Sequence, residues 1–455
     1  AERPMLRLAV LTLCSTVCGL VIAQVLLIPH FADAGVGGSL CDDGDKGCDK
    51  QYLFVSKAWN SALQISGIMM FFGGLWFDQV GGRVLGVIGA CLVALGLLML
   101  QIPLLGAQGG SDVDTRNWLF VALLIATSGC ELAGRASMAM IWHLPGHKTF
   151  ASALVMAGGF ASHLPPMFMI AFMDLTGLSL SSVLLAWVVL VMLAGVCFYS
   201  LTPTMAEYRA QAEKASGTAL QPSKSMCRVL REGHATLWAH WRLNTLTVLV
   251  QAAAGSFLMT YASLLGDWGK VFLGSADAGK ELGWMLNVFL CLTVFVVPVM
   301  AFVGDKLNRG TCVMLTSLVT LYAIMSIIIA VPTWPAQVVM CACHSVSGYI
   351  FTAFALKYAM AVFGPDSIGT TTGVMGLYAT VVTVAQQQLV FFWMSSLPSS
   401  DPIHLSLPLR CAGAYACFLF VVWASIIGYH GLPAQPVSLA RGDGARPLVQ
   451  PPSAP

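Results

Sequence analysis

The sequence predicts an all-α membrane protein of twelve transmembrane helices in two six-helix bundles, and three observations predict it. Charged residues fill only 10% of the 455 positions while 57% are hydrophobic, and mean hydropathy is +0.78. A soluble domain carries about 25% charge, because its surface faces water. Apolar, nearly charge-free runs recur along the whole chain, each near the ~20 residues that cross a hydrocarbon core. One polar stretch near the middle separates six of these runs from six others. The net charge of +2 offers nothing to nucleic acid.

A charge in hydrocarbon costs about 2.5–3.5 kcal/mol on insertion scales, so charges frame the spans. Arg7 to Asp33 frames the first, Lys57 to Asp78 the second and Arg83 to Asp112 the third. The fourth runs from Asn117 to Trp142 and carries charge inside it. Lys148 to Asp174 frames the fifth, and the sixth follows, ending near Pro203. From Pro203 to Arg242 the chain is too polar to cross. Arg242 to Asp267 frames the seventh span and Glu281 to Asp305 the eighth. The long run from Arg309 to Lys357 is broken into a ninth and a tenth by Pro332-Thr-Trp-Pro335. Asp366 to Asp401 frames the eleventh and Arg410 to Arg441 the twelfth. The organisation expected is a bundle over 1–202, a connector over 203–242, a second bundle over 243–430 and a Pro-rich, disordered tail over 431–455. The apolar run after AERPMLRLAV is longer than a signal-peptide core, so no cleavable leader is expected.

An even count puts both termini on one side. The connector carries Arg209, Lys214, Lys224, Arg228, Arg231 and Arg242 against Glu207, Glu213 and Glu232. Basic residues favour the cytoplasmic side, so both termini are expected there. Most of the 14 cysteines fall within spans, where they act as small apolar residues. Cys41 and Cys48 fall in the acidic outer loop. They are either a disulfide on the oxidising side or two free thiols.

The halves echo one another. Gly74-Leu-Trp-Phe-Asp78-Gln-Val-Gly81-Gly-Arg83 follows the second span, and Ala301-Phe-Val-Gly-Asp305-Lys306-Leu-Asn-Arg309 follows the eighth. Leu144-Pro-Gly146 and Val362-Phe-Gly364 are a second echo, after spans four and ten. Repeats in matching positions mark duplicated halves. Either each Asp-centred loop is a gate, in which Gly lets two helices approach and Asp caps a helix or pairs across the halves, or it is a polar turn that satisfies helix ends.

These loops resemble the signature G-x-x-x-D-[RK]-x-G-[RK]-[RK] of the major facilitator superfamily. Gly74, Asp78, Gly81 and Arg83 match it, and the second copy keeps Asp305, Lys306 and Arg309. Gln79 and Gly82 stand where the signature is basic, and Ala301 replaces its first Gly. A finer resemblance comes from the acidic two-Cys loop followed by Asp49-Lys-Gln, the second span ending in Phe77-Asp78, and Leu144-Pro-Gly-His-Lys148. These are similar to the sodium-independent system-L (types three and four) amino-acid transporters. That family includes an equilibrative nucleobase transporter and the apicomplexan amino-acid transporters. The resemblance implies the major facilitator fold, alternating access and amino-acid transport, and the membrane expected for an amino-acid carrier is the plasma membrane.

Span four is where chemistry concentrates. Glu131 and Arg135 lie near its middle, one helical turn apart and on one face. Intramembrane ionisable residues face a cavity or a partner. Arg135 can anchor a substrate carboxylate while Glu131 receives an ammonium or a cationic side chain; alternatively the two satisfy each other and hold the helix. The resemblance implies that helices 1, 4, 7 and 10 line the cavity, which adds Gln251, Tyr261, His344 and Tyr349 as candidates. Family members that take neutral amino acids are apolar or Gly at the Glu131 position, which raises a cationic substrate such as arginine beside large neutral ones. The one deep carboxylate has an Arg beside it, so facilitated diffusion is expected over proton symport, although a relay of Glu131 with His163 or His344 is the other route. No phosphate-binding loop and no zinc-protease, C-x-x-C or G-x-S-x-G motif occurs, so neither ATP-driven transport, enzymatic activity, a metal nor a cofactor is expected. The partners expected are a small-molecule substrate and the bilayer. Rival readings are carriage of a nucleobase or other organic solute, and a receptor that kept the fold.

Overall fold

The computed structural model describes residues 3–22, 24–41, 48–144, 147–216, 226–306, 310–363, 367–396 and 402–430. Helix is the regular structure found among them, as apolar chains in lipid require. No water is available there to satisfy free backbone groups, so each helix bonds its own.

Ten helical stretches among these residues are long and apolar enough to cross a bilayer. One of them, Lys50–Gln108, is two passes. Within α4 (Ile68–Met99) the backbone turns at Gly81, whose φ of 84° is open to glycine at little cost. The neighbours along α7 (Trp118–Ala136) record the reversal. They advance from Thr127 beside Ala62 to Arg135 beside Gly73, then retreat from Ala136 beside Gly82 to Ala122 beside Gly96. The first pass is made of two shorter helices, α1 (Pro4–Cys18) and α2 (Gln24–Asp33). The chain therefore makes twelve passes.

After α3 (Asp49–Ser66) and α4, α5 (Gln101–Gln108) ends the third pass and α6 (Asp112–Thr115) leads into α7. The fourth pass is completed by a 3-10 segment, Ser137–His143. α8 (Lys148–Ala161) and α9 (Leu164–Thr176) make the fifth, broken just before Pro165-Pro166. α10 (Leu180–Leu201) is the sixth. The connector holds α11 (Met205–Ser216) and α12 (Met226–Ala239). α13 (Trp241–Phe272) is the seventh pass. α14 (Ala276–Leu292) and α15 (Val297–Lys306), with a 3-10 turn between, form the eighth. α16 (Gly310–Ile328), α17 (Trp334–Val362), α18 (Ile368–Ser395) and α19 (Pro402–His430) complete the set.

Several helices overrun the charges that frame them. α19 starts at Pro402, so Arg410 lies inside the helix, where it is exposed. α3 starts at Asp49 and contains Lys57. Long basic side chains near a helix end reach back to the interface, so charge marks the hydrocarbon edge rather than the helix end. The expected tail 431–455, and Gly146, Arg309 and Gly364, lie outside the described residues.

Two apolar cores result. One gathers mainly residues of passes one to six, around Trp59, Trp142 and Phe198; the other gathers passes seven to twelve, around Trp268, Tyr322 and Trp423. Ala153 and Ala157 join the second core, and Leu356 and Met360 the first, so α8 and α17 interlock across the halves. Large side chains such as Phe295, Phe392 and Leu389 stay exposed on the outside, which suits lipid. Cys41 and Cys48 are joined by a disulfide. Beside it, Asp112 accepts from the backbone N–H groups of Gly37 and Ser39, at 2.8 and 2.9 Å.

Candidate functional site

α7 packs one face very closely on α4. Gly129 and Ala133 meet the backbone at Gly89, and Ala126 meets Gly96, where any added Cβ would clash. Small residues give membrane helices this approach. The packing turns the neighbouring positions, Cys130, Glu131, Gly134, Arg135 and Met138, into a cavity of about 340 Å³ between the halves. Its other polar walls are Ser15, Gln251, Thr352, Tyr358 and Thr372. Its apolar walls are Met70, Met156, Met375, Phe160 and Phe351. The volume sits near the lower end of the ~300–1,000 Å³ usual for small-molecule sites.

Arg135 is buried, and its Nε has no hydrogen-bond partner. Its Nη1 stands 3.5 Å from Thr372 Oγ1, at the limit of a hydrogen bond. No hydrogen bond or ion-pair contact joins Arg135 to Glu131 among the described residues, although both line the same wall. A carboxylate and a guanidinium thus face one cavity without neutralising each other by contact.

Of the other candidates, Gln251 lines this cavity and Tyr261, His344 and Tyr349 do not. The Tyr261 hydroxyl donates to Gln337 Oε1 at 3.3 Å, and His344 Nε2 lies 3.0 Å from the Leu258 carbonyl. The Tyr349 hydroxyl donates to the Ala153 carbonyl at 2.9 Å, pinning α17 to α8. The two hydroxyls and His344 Nε2 are spent on helix packing, while His344 Nδ1 is buried without a hydrogen-bond partner. His163 also lies off the cavity lining, with its Nδ1 2.5 Å from Asn287 Oδ1, so neither histidine is in position beside Glu131. Sequence reasoning singled out neither Phe351 and Tyr358 nor the four lining methionines. Thr352 and Thr372 stood among many polar positions of their spans with nothing to rank them.

The two Asp-centred loops reach across the halves in the same way. Asp78 accepts from the backbone N–H groups of Gly369 (3.0 Å) and Thr370 (2.6 Å), in the first turn of α18. Asp305 accepts from those of Thr149 (3.2 Å) and Phe150 (3.3 Å), in the first turn of α8. The first N–H groups of a helix lack intrahelical partners, and the helix dipole favours an anion there. Each carboxylate therefore caps a helix of the opposite half. Gly74 touches Gly369, and a Cβ at Gly74 would overlap the Gly369 carbonyl oxygen. In the second loop the close approach is made at Gly304, against Thr149, so Ala301 is not where closeness is needed. Lys357 Nζ also donates to the Gly304 carbonyl, at 3.0 Å.

Of the remaining loop candidates, Gly81 and Arg83 serve their own half and the connector. Gly81 supplies the turn. Arg83 Nε donates to the Thr202 carbonyl at 2.9 Å, and its Nη2 lies 3.9 Å from Glu207. Lys306 is exposed. Glu207 accepts from the Thr204 N–H at 2.7 Å while Thr204 Oγ1 accepts from the Glu207 N–H at 3.2 Å, a capping box that starts α11. The backbone hydrogen bond from Thr204 holds the Glu207 carboxyl below its ordinary range, and Arg83 adds to this.

A family model described as Major Facilitator Superfamily matches residues 58–386. A search of curated proteins finds no match to this chain. Among solved structures, the human organic anion transporter MFSD10 (TETRAN) is 13% identical, with a TM-score of 0.61 over 94% of this chain and 100% of that one. The proton:xylose symporter XylE is 13% identical, with a TM-score of 0.63 over 94% and 96%. A bacterial homologue of the iron transporter ferroportin, in an outward-facing state, is 15% identical, with a TM-score of 0.59 over 93% and 100%. At these identities the likeness is one of fold.

Proposed function

The chain belongs to the Major Facilitator Superfamily, and from that premise we propose that it is a uniporter of amino acids, large neutral or aromatic ones above all, working by alternating access. One observation carries the reading: Glu131 and Arg135 present opposite charges to a single small cavity without pairing by contact. An ammonium and a carboxylate on one carbon would answer both. A buried charge without a partner is costly, so a zwitterion relieves two penalties as it binds.

The rest of the lining supports an apolar side chain. Four methionines, Met70, Met138, Met156 and Met375, form adaptable walls beside Phe160 and Phe351. A cationic substrate such as arginine brings a second positive charge. Glu131 is the one carboxylate among the described lining residues, so one of arginine's two cations would lack a carboxylate partner there. Neutral substrates therefore fit better.

In this account the capped helices of the two Asp-centred loops hold the connector side shut, and that side is cytoplasmic. The cavity would then open to the other face, and breaking both caps would let the halves rock. Neither His163 nor His344 lines the cavity with Glu131, which supports movement driven by the substrate gradient over a Glu131–His relay.

The test is uptake of labelled tyrosine, leucine, arginine and adenine by proteoliposomes, for the natural chain and for Arg135→Ala. Tyrosine or leucine should enter, and Arg135→Ala should abolish that entry with unchanged protein insertion. Entry of adenine alone would make the chain a nucleobase carrier and end the amino-acid reading.

A further inference from the structure

The connector helix α12 differs from every membrane pass in its sidedness. Val229, Gly233 and Leu237, one turn apart in succession, are buried. Arg228, Arg231 and Trp238 are exposed, and the stripe continues into the start of α13 with exposed Trp241 and Arg242. Trp238 and Trp241 keep 67% and 51% of their surfaces open, far more than tryptophan leaves to water in a folded interior. The position explains them. α13 enters the bilayer from Trp241 onward, so α12 must end at the membrane surface. Tryptophan and arginine on one helix face at that depth are the composition of an interfacial helix facing anionic headgroups.

The buried face lies on the gate. A Cβ at Gly233 would stand 3.0 Å from Thr370 Cγ2, and Thr370 is one of the residues whose N–H Asp78 holds. The far end of α12 is tied to the cavity wall. Asn244 Nδ2 donates to the Leu237 carbonyl at 2.9 Å, and Asn244 Oδ1 accepts from Tyr358, a cavity-lining residue, at 2.9 Å. α12 is thus fixed to the helix end that must move if the connector side opens.

We propose that the Arg228–Arg231–Trp238–Trp241–Arg242 stripe is a docking surface for anionic phospholipid headgroups of the connector-side leaflet, and that docking holds α12 over Thr370 and keeps that side closed. Arg228 is partly answered by Glu232, at 2.9 Å. Arg231 and Arg242 form no ion pair among the described residues, and Arg242 stacks on Trp241 at 5.5 Å. Each basic residue near an anionic leaflet strengthens attachment about fivefold at physiological salt.

The test needs no substrate, so it stands apart from the substrate reading. The full chain is placed in nanodiscs of phosphatidylcholine alone, or with about one fifth phosphatidylserine, and amide exchange is followed by peptide mass spectrometry. Peptides of residues 226–240, and those containing Gly369 and Thr370, should exchange about tenfold more slowly in the anionic discs. High salt should erase the difference, and so should Arg231→Gln with Arg242→Gln. Trp238→Ala should reduce it while leaving the rest of the map unchanged. Equal exchange in both discs would overturn the proposal and leave the stripe to a soluble partner. So would a lipid effect that survives the paired Gln variant.

Discussion

Replacing Asp78 by Asn should open the connector side. Asp78 is buried, and its two carboxylate oxygens accept from Gly369 and Thr370 at 3.0 and 2.6 Å. Asn keeps one acceptor oxygen and turns an NH₂ donor toward a backbone donor, so one bond and the charge are lost together. A hydrogen bond to a charged group is worth about 1.5–3 kcal/mol, and loss of a capping residue about 1 kcal/mol. Opening would part position 78 from α18 and give Asp or Asn water as its partner, so the difference would fall on the closed state. A loss of about 2 kcal/mol moves the equilibrium about thirtyfold toward opening. Cys130 lines the cavity and serves as the reporter. In vesicles with the connector outward, a membrane-impermeant maleimide should alkylate the Cys130 peptide about thirtyfold faster in Asp78→Asn, and Asp305→Asn should act in the same direction. An unchanged rate in Asp78→Asn refutes the reasoning, because the cap would then contribute nothing to closure.

Three further outcomes follow from the same geometry. Glu131→Gln should raise the KM for a zwitterionic substrate about tenfold or more while uptake at saturation persists, since one charged contact is lost and the anchor Arg135 remains. Gly74→Ala should slow uptake sharply with normal membrane insertion, because its Cβ would meet the Gly369 carbonyl and hold the halves apart on closing; Cys130 alkylation from the connector side should rise with it. The capping box of α11 should depend on pH. Its carboxyl is held below the ordinary value of about 4.3, so its contribution is present above that value and is lost as pH falls through the lowered one. Amide protection of residues 205–210 should fade in that acid range, and Glu207→Gln should remove the pH dependence.

The passes were legible because charge is expensive in lipid, and the reversal at Gly81 could be placed from the charges Asp78 and Arg83 around it. The helix breaks were not. Gly19 to Ile22 in the first pass, Ser137–His143 in the fourth and Thr293–Val296 in the eighth are as apolar as the α-helix beside them, so hydropathy cannot register a change of backbone winding. Glu131 and Arg135 stood out as charges within a span, and both line the cavity. Tyr261, His344 and Tyr349 were chosen by helix number alone. α17 is apolar on every face, so no apolar stripe tells which of its faces meets the cavity, and Phe351, Thr352 and Tyr358 could not be preferred over Tyr349. Asp78 and Asp305 were recognisable as a repeated pair. Their partners were not, because each accepts from backbone N–H groups, which carry no mark in the sequence. The packing role of Gly304 was hidden for a related reason: the contact it makes on Thr149 spans the two halves.

The account stands most directly on uptake of labelled tyrosine into proteoliposomes that hold no ion or proton gradient. It predicts saturable entry that levels off at equal concentration on both sides, is unaffected by a proton ionophore, and is absent in Arg135→Ala. Entry only under an imposed proton gradient would contradict uniport, and undiminished entry in Arg135→Ala would contradict the site.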